Sequence, residues 1–206
     1  LVSASGASMP YTHNFDNAFI SGTHCGCGGQ TGAKSVINYC WFVMNNNGPA
    51  YGGVTSFNDD WKWGPYGIGN SGAAYSASKP VTGTPYAKDD YLLSPCIKLA
   101  SGETYKITWK HRVATSPWRE HEMTVKVYDN PGSNHAPITI PTPTAGATYT
   151  PAGANVFTQI PPDDDWYTKT VNFTVQNTGS YHIGFHTTSP GNLSRFDLDE
   201  VEIKHV

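Results

Sequence analysis

The sequence predicts an all-β chain built as an antiparallel β-sandwich, and three observations predict it. Gly and Pro together make 36 of the 206 residues and sit between short apolar runs, the composition of strands joined by turns. Helical periodicity is nearly absent. Several segments alternate apolar and polar residues with period two, so each strand is apolar on one face and polar on the other. Such strands pack as two antiparallel sheets with their apolar faces together.

The alternation can be followed element by element. Tyr105, Ile107, Trp109 and Val113 share one strand face, with Thr108, Lys110 and Arg112 on the other. Met123, Val125 and Val127 alternate with Thr124, Lys126 and Tyr128, and Val171, Phe173 and Val175 alternate with Asn172 and Thr174. Tyr181, Ile183 and Phe185 alternate with His182, Gly184 and His186. The last strand changes phase, because Phe196 and Leu198 fall on even positions and Val201 and Ile203 on odd ones. A β-bulge near Asp199 and Glu200 absorbs the extra residue. Such a bulge either turns a carboxylate toward a metal or is a structural kink, and both readings stand at this point.

Two stretches have no period. Residues 45–72 hold an Asn-rich run and the aromatic segment Phe57 to Gly67, and residues 131–165 form a proline-rich insertion ending in Asp163, Asp164 and Asp165. Loops this long in a compact domain are usually functional or partly mobile. With no internal repeat or linker, residues 1–206 read as one domain, with 1–9 as an extended N-terminal segment.

Composition narrows the function classes. Aromatic residues make up 13% of the chain and charged residues 14%, which excludes an intrinsically disordered segment. The formal net charge of −3 argues against a phosphate-driven nucleic-acid partner. No apolar run approaches the ~18 residues that span a membrane. Leu1 to Ser8 are small and uncharged, as in a mature terminus or a cut inside a longer protein, so export is the expectation. Cys25, Cys27, Cys40 and Cys96 form an even set that suits an oxidising compartment. Disulfides are favoured over a zinc site that would add His24, since C-x-C is tighter than the usual zinc clamp. Three connectivities remain open.

Catalysis finds little support. Glycoside hydrolysis needs two carboxylates at a set separation. Glu120 and Glu122, flanking His121, would lie about 7 Å apart on one strand face. Their parity opposes that of Met123, Val125 and Val127, so they read as a solvated strand entrance. The chain has no G-x-S-x-G, H-E-x-x-H, phosphate loop or dinucleotide fingerprint. No catalytic residue is expected.

Several motifs, taken in order, resemble one family. Pro10-Tyr11 with Phe15-Asp16 resembles its PY..FE opening strand, and Ser71 to Ser76 and Asp89 to Ile97 resemble its GSAYS and DDWLISP strands. Trp166 leading into Tyr167-Thr168-Lys169-Thr170-Val171 is similar to its WTEYTV segment. Gly179 to Pro190 and Phe196 to Ile203 resemble its YIGFH and LDDVEI closing strands. The family is the gingipain-type cleaved adhesin domain, also described as choice-of-anchor J and related to MAM domains. The resemblance covers nearly the whole chain, although the CGC segment and the proline-rich insertion have no counterpart. It implies a jelly-roll sandwich in secreted or surface proteins of Bacteroidetes-type bacteria, with bound calcium and a non-catalytic adhesion or recognition role.

Calcium takes six to eight hard oxygen ligands from carboxylates and carbonyls in irregular loops. Asp16, Asn58, Asp59, Asp60, Asp197 and Asp199 offer them. The Asp-rich loop ahead of Trp63 resembles the family's calcium loop, and neighbouring first and last strands would bring Asp16 close to Asp199. The expected ligands of a structural calcium are Asp16, Asp59, Asp60 and Asp199. Trp61, Trp63 and Tyr66 crowd one polar loop, where sandwich domains often place recognition residues. Trp61 and Trp118 are expected to be exposed, whereas Trp63 reads equally well as a core plug. Arg112, Tyr128, His182 and His186 add polar groups on outward faces. The resulting expectation is an exported adhesion module, extracellular or at the cell surface, beside other domains of a larger chain. It would bind a glycan or an extracellular protein, with Trp61, Trp63, Tyr66 and Trp118 stacking and Arg112, Asp60 and Glu122 hydrogen-bonding. A structural spacer is the alternative, and a carbohydrate-active enzyme the less favoured one.

Overall fold

The structure, a computed structural model, describes residues 10–16, 36–37, 41–45, 61–77, 88–95, 97–113, 121–129, 156–160, 165–189 and 195–206. The strands are β1 (Tyr11–His13), β2 (Val36–Ile37), β3 (Trp41–Asn45), β4 (Trp61–Gly64), β5 (Ala73–Ala77), β6 (Lys88–Leu93), β7 (Ile97–Leu99), β8 (Thr104–Val113), β9 (His121–Asp129), β10 (Val156–Ile160), β11 (Tyr167–Thr174), β12 (Gly179–Ser189) and β13 (Arg195–His205). Among the described residues one 3₁₀ turn, Ile68–Asn70, interrupts them. All the pairings are antiparallel. One sheet runs β11-β8-β13-β5-β4, with β1 added on β13, and the other runs β10-β9-β12-β6-β3-β2, with β7 added on β12. This is the expected jelly-roll β-sandwich. Among the described residues no helix is long and apolar enough to cross a membrane.

The period-two pattern places the core. In β8 the residues Tyr105, Ile107, Trp109, His111 and Val113 are buried, while Lys106, Thr108, Lys110 and Arg112 alternate with them on the other face. Met123, Val125 and Val127 of β9 and Ile183 and Phe185 of β12 close the core from the opposite sheet. A chain of rings crosses between the sheets. Phe15 lies 5.2 Å from Trp41, Trp41 lies 6.0 Å from Phe185, and Phe185 meets Trp109 edge-on at 5.8 Å. The Trp41 Nε1–H donates to the Tyr11 hydroxyl at 2.8 Å, which satisfies the polar tip of that ring. Large-to-small truncation of such a ring costs about 3–5 kcal/mol.

Two stretches expected to be irregular contain strands. Within 131–165, residues 156–160 pair with β9, Val156 opposite Val125 and Ile160 opposite His121. This segment is proline-free and rich in β-branched residues, so it can supply a full ladder. The rest of the insertion up to 155 lies outside the described residues, as do residues 1–9, Cys25, Cys27, Cys40 and Cys96. Within 45–72, Trp61–Gly64 pairs with β5.

The bulge expected in the last strand is present. Asp199 pairs with Lys110 and Glu202 with Thr108, so Glu200 and Val201 together oppose Trp109. Glu200 has a φ of 47°, and its N–H donates to the Asp199 Oδ1 at 2.8 Å. A left-handed residue at this position is the geometry of a two-against-one bulge. It allows Phe196 and Leu198 before it and Val201 and Ile203 after it to face the same core.

The face of the seven-stranded sheet turned away from the core differs from expectation. Tyr128, His182 and His186 were expected as polar outward groups, yet all three are buried. His186 stacks on Tyr91 at 3.8 Å with the rings within 5° of parallel, and His182 Nδ1 lies 2.7 Å from the Ser94 carbonyl. Period two assigns a side chain to a face; it does not say whether that face is covered.

Buried imidazoles give the fold a pH dependence. Burial pushes His182 down to about 4, and it does the same to His111, where the Lys169 charge adds to the effect. In the unfolded chain both titrate near 6.5. The unfolded state therefore takes up protons first as pH falls, and stability is lost between about 6.5 and 4. Asp199 acts in the opposite sense. Its carboxyl is raised from 3.8 to about 6, chiefly by burial, so the folded state takes up that proton first and gains stability as pH falls below about 6. Two histidines against one aspartate leave a net loss. The melting temperature in metal-free buffer is expected to drop between pH 7 and pH 5, and His111→Phe should flatten that drop. An unchanged slope in the variant would contradict the assignment.

Candidate functional site: the outward face of the six-stranded sheet

The bulged strand β13 brings chemistry to the outward face of its sheet. Asp197 follows the alternation away from the core, yet it is 0% exposed. Two guanidinium groups enclose it. Arg112 of β8 donates from Nε to Oδ2 at 2.8 Å. Arg195, two residues before Asp197 on the same face, donates from Nε to Oδ1 at 2.6 Å and from Nη2 to Oδ2 at 3.1 Å. Three charged donors on one carboxylate is the arrangement a buried anion requires.

Aromatic rings flank the arginines. The Arg195 Cζ lies 3.5 Å from the centroid of the Tyr66 ring, and the Arg112 Cζ lies 4.8 Å from that of Trp166. Tyr66 meets Tyr75 edge-on at 5.1 Å. The Arg112 Nη2 donates to the Tyr66 carbonyl at 2.7 Å, which fixes the 65–71 segment over the sheet. The register explains the convergence. Lys62 pairs with Tyr75, Tyr75 with Asp197, and Asp197 with Arg112, one transverse row across four strands, with Trp166 just before β11 at its end. At the usual strand spacing that row is about 15–20 Å long. Tyr66, Tyr75 and Trp166 are all half-buried.

The expected ligand-binding residues separate in the structure. Tyr66 and Arg112 come together. Trp61 does not join them and is not exposed: it is 0% exposed, edge-on to Phe196 at 5.7 Å, with its Nε1–H directed at the Asp90 carbonyl at 3.3 Å. Its polar neighbours Asp60 and Lys62 were a poor guide, because adjacent residues in a strand face opposite ways. Trp63 is half-buried and donates from Nε1 to the Phe15 carbonyl at 2.7 Å, so it clamps the chain after β1. Glu122 belongs to β9 in the other sheet, opposite Thr188 and Gln159, and is not part of this cluster. Trp118 and Glu120 lie outside the described residues. Sequence reasoning did not select Arg195, Tyr75 or Trp166 as site residues. Shared parity of Arg195 and Asp197 was the available signal.

The expected calcium ligands divide in a similar way. The strand β1 pairs with β13, Tyr11 opposite Ile203 and His13 opposite Val201, which brings the following residues toward the bulge. Phe15 has a φ of 50°, a costly conformation for a bulky residue. It is held by the His13 Nδ1, which accepts from the Phe15 N–H at 2.9 Å, and by the Trp63 bond to its carbonyl. Gly72 packs beneath: an added Cβ would meet the Phe15 carbonyl oxygen at 2.1 Å. Asp16 follows, exposed and accepting from the Asn14 amide. Asp199 Oδ2 accepts from the Ile68 N–H at 3.1 Å. Burial raises the Asp199 carboxyl to about 6; the charges of Glu200 and Asp16 add to the rise, and the backbone donors Ile68 and Glu200 oppose it. The Asp16 charge is thus felt at the Asp199 carboxyl. Asp59 and Asp60 lie outside the described residues, and no group of three or more His, Cys, Asp or Glu suited to a metal occurs among the described ones.

No protein family matches the chain, and no curated protein does. Solved structures do match. The K1 cleaved adhesin domain of Lys-gingipain from Porphyromonas gingivalis W83 is 19% identical, with a TM-score of 0.58 over 96% of this chain and 98% of that one. The K3 cleaved adhesin domain of the same protein is 16% identical, with a TM-score of 0.54 over 94% and 96%. The carbohydrate-binding module TmCBM61, solved in complex with β-1,4-galactotriose, is 10% identical, with a TM-score of 0.50 over 81% and 88%. What this chain shares with them is the fold.

The buried carboxylate generates a direct test of the cluster. Removing one partner of a buried ion pair costs about 3–5 kcal/mol because the other charges stay behind. Asp197→Asn is expected to lose stability of that order in urea unfolding. A loss below about 1 kcal/mol, the value of an exposed pair, would mean that the arginines do not depend on Asp197.

Proposed function

We propose that this chain is a non-catalytic recognition module that binds a glycan through the outward face of its six-stranded sheet. The observation that carries the reading is the row Tyr66, Arg195, Arg112 and Trp166, in which two half-buried aromatic residues flank a pair of guanidinium groups pinned by Asp197. Sugar rings present apolar C–H faces to aromatic rings and hydroxyls to fixed donors. Fixed donors lose little freedom on binding, which favours affinity. The fold shared with adhesin domains and a galactotriose-binding module supports a binding role in general terms. Placement outside the cell or on its surface, beside other domains of a longer chain, belongs to the same reading. An extracellular protein is the other ligand class that such a face would serve.

Calcium has a structural part in this proposal. Asp16 and Asp199 supply hard oxygens at the junction of β1 and the β13 bulge, and Asp59 and Asp60 are proposed to complete the set. A divalent cation there would offset the mutual repulsion of the carboxylates and fasten β1 to the sheet carrying the recognition row.

Two experiments test these readings. A glycan array is expected to give hits, and Trp166→Ala should weaken the best hit at least tenfold with the fold intact by circular dichroism. Wild-type affinity in that variant would remove the proposed face from the account. Separately, calcium at a hundredfold over its dissociation constant should stabilise the chain by about 2.7 kcal/mol. That gain should vanish in Asp199→Asn. A melting temperature indifferent to calcium and EDTA would end the metal proposal and leave the recognition face untouched.

A further inference from the structure

The charge arithmetic of the recognition face points beyond neutral sugars. Asp197 is one carboxylate shared by two guanidinium groups, so the trio retains one unit of positive charge. Its two oxygens are engaged by three N–H donors, and a fourth, the Arg112 Nη2, is engaged by the Tyr66 carbonyl. The Nη1 of each arginine has no protein acceptor among the described residues. The side chains of Arg112 and Arg195 are 20% and 24% exposed, so each reaches solvent in part. Of the nearby carboxylates, Glu200 is matched by Lys110 at 2.8 Å, Asp199 is turned to the Ile68 and Glu200 backbone N–H groups, and Asp165 is exposed just before Trp166.

We propose that the ligand of this face is an acidic glycan, with a uronate-type carboxylate seated on the outward edges of Arg112 and Arg195 and the adjoining sugar rings against Trp166 and Tyr66. The inference rests on the glycan reading and narrows its substrate class. A guanidinium group presents planar paired donors that match a carboxylate, and its charge-assisted bonds are about twice as strong as neutral ones. Asp197 orients both groups before the ligand arrives, so little side-chain freedom is lost on binding. The flanking rings favour a saccharide over an acidic peptide, because an extended acidic peptide offers charge without flat C–H faces.

The test titrates the full chain by calorimetry with uronate tetramers of several linkages, their carboxyl-reduced neutral counterparts and a glutamate tetrapeptide. At least one uronate is expected to bind tenfold or more tighter than its neutral counterpart and than the peptide. That preference should shrink as salt rises from about 0.05 to 0.5 M, and Arg195→Gln should reduce it. Should Arg195→Gln fail to fold, the wild-type Trp166 indole N–H resonance decides: it shifts with the uronate if the site is here and stays still if it is not. Equal or tighter binding of the neutral sugar overturns the acidic inference and leaves the glycan reading standing. Equal binding of the peptide overturns it by making the face a general anion surface. Binding of neither sugar, with a silent array, overturns both.

Discussion

The bulge in β13 is the constraint on which the rest of the structure depends. A strand that kept strict alternation could not bury both Phe196 and Leu198 and, further on, both Val201 and Ile203. One residue of slack, taken up at Glu200 with its φ of 47°, lets the strand serve one core along its whole length. The same step sets Asp197 and Asp199 on the opposite face, where the 65–71 segment covers them. Asp197 then gathers Arg112 and Arg195, and Arg112 in turn holds the Tyr66 carbonyl. Core packing and the outward polar face are two consequences of one local irregularity.

The polar face and the junction of β1 are coupled through the short 3₁₀ segment. Ile68 donates to Asp199, while Tyr66, two residues earlier, anchors to Arg112. Trp63, earlier still, clamps the Phe15 carbonyl and so sets the position of Asp16. A stretch of about ten residues thereby connects the carboxylate pair to the recognition row. Local order at one end constrains the other, since both are parts of a single chain excursion pinned to the same sheet.

The fold was largely legible from the residues because period two is a local property. The β8 alternation and the phase change before Val201 follow directly from side-chain parity. Val156–Ile160 was missed because a five-residue strand inside a proline-rich stretch carries too few periods to stand out. The candidate site was legible only in part. Tyr66 and Arg112 were selected, but Arg195, Tyr75 and Trp166 meet them through register between strands distant in the chain, and parity does not encode register. Trp61 was misplaced for a related reason: its charged neighbours describe the other face of β4, and its own surroundings come from Phe196 and Asp90. The adjacency of first and last strands was anticipated, and the β1–β13 pairing provides it.

The most direct test of the account is hydrogen–deuterium exchange with and without the strongest glycan-array hit. The account predicts ligand-dependent protection in the 65–71 segment and at the start of β11, beside Tyr66 and Trp166, with little change in β6, β9 and β12. Protection confined to β6, β9 and β12 would place the ligand on the other sheet and contradict the central claim.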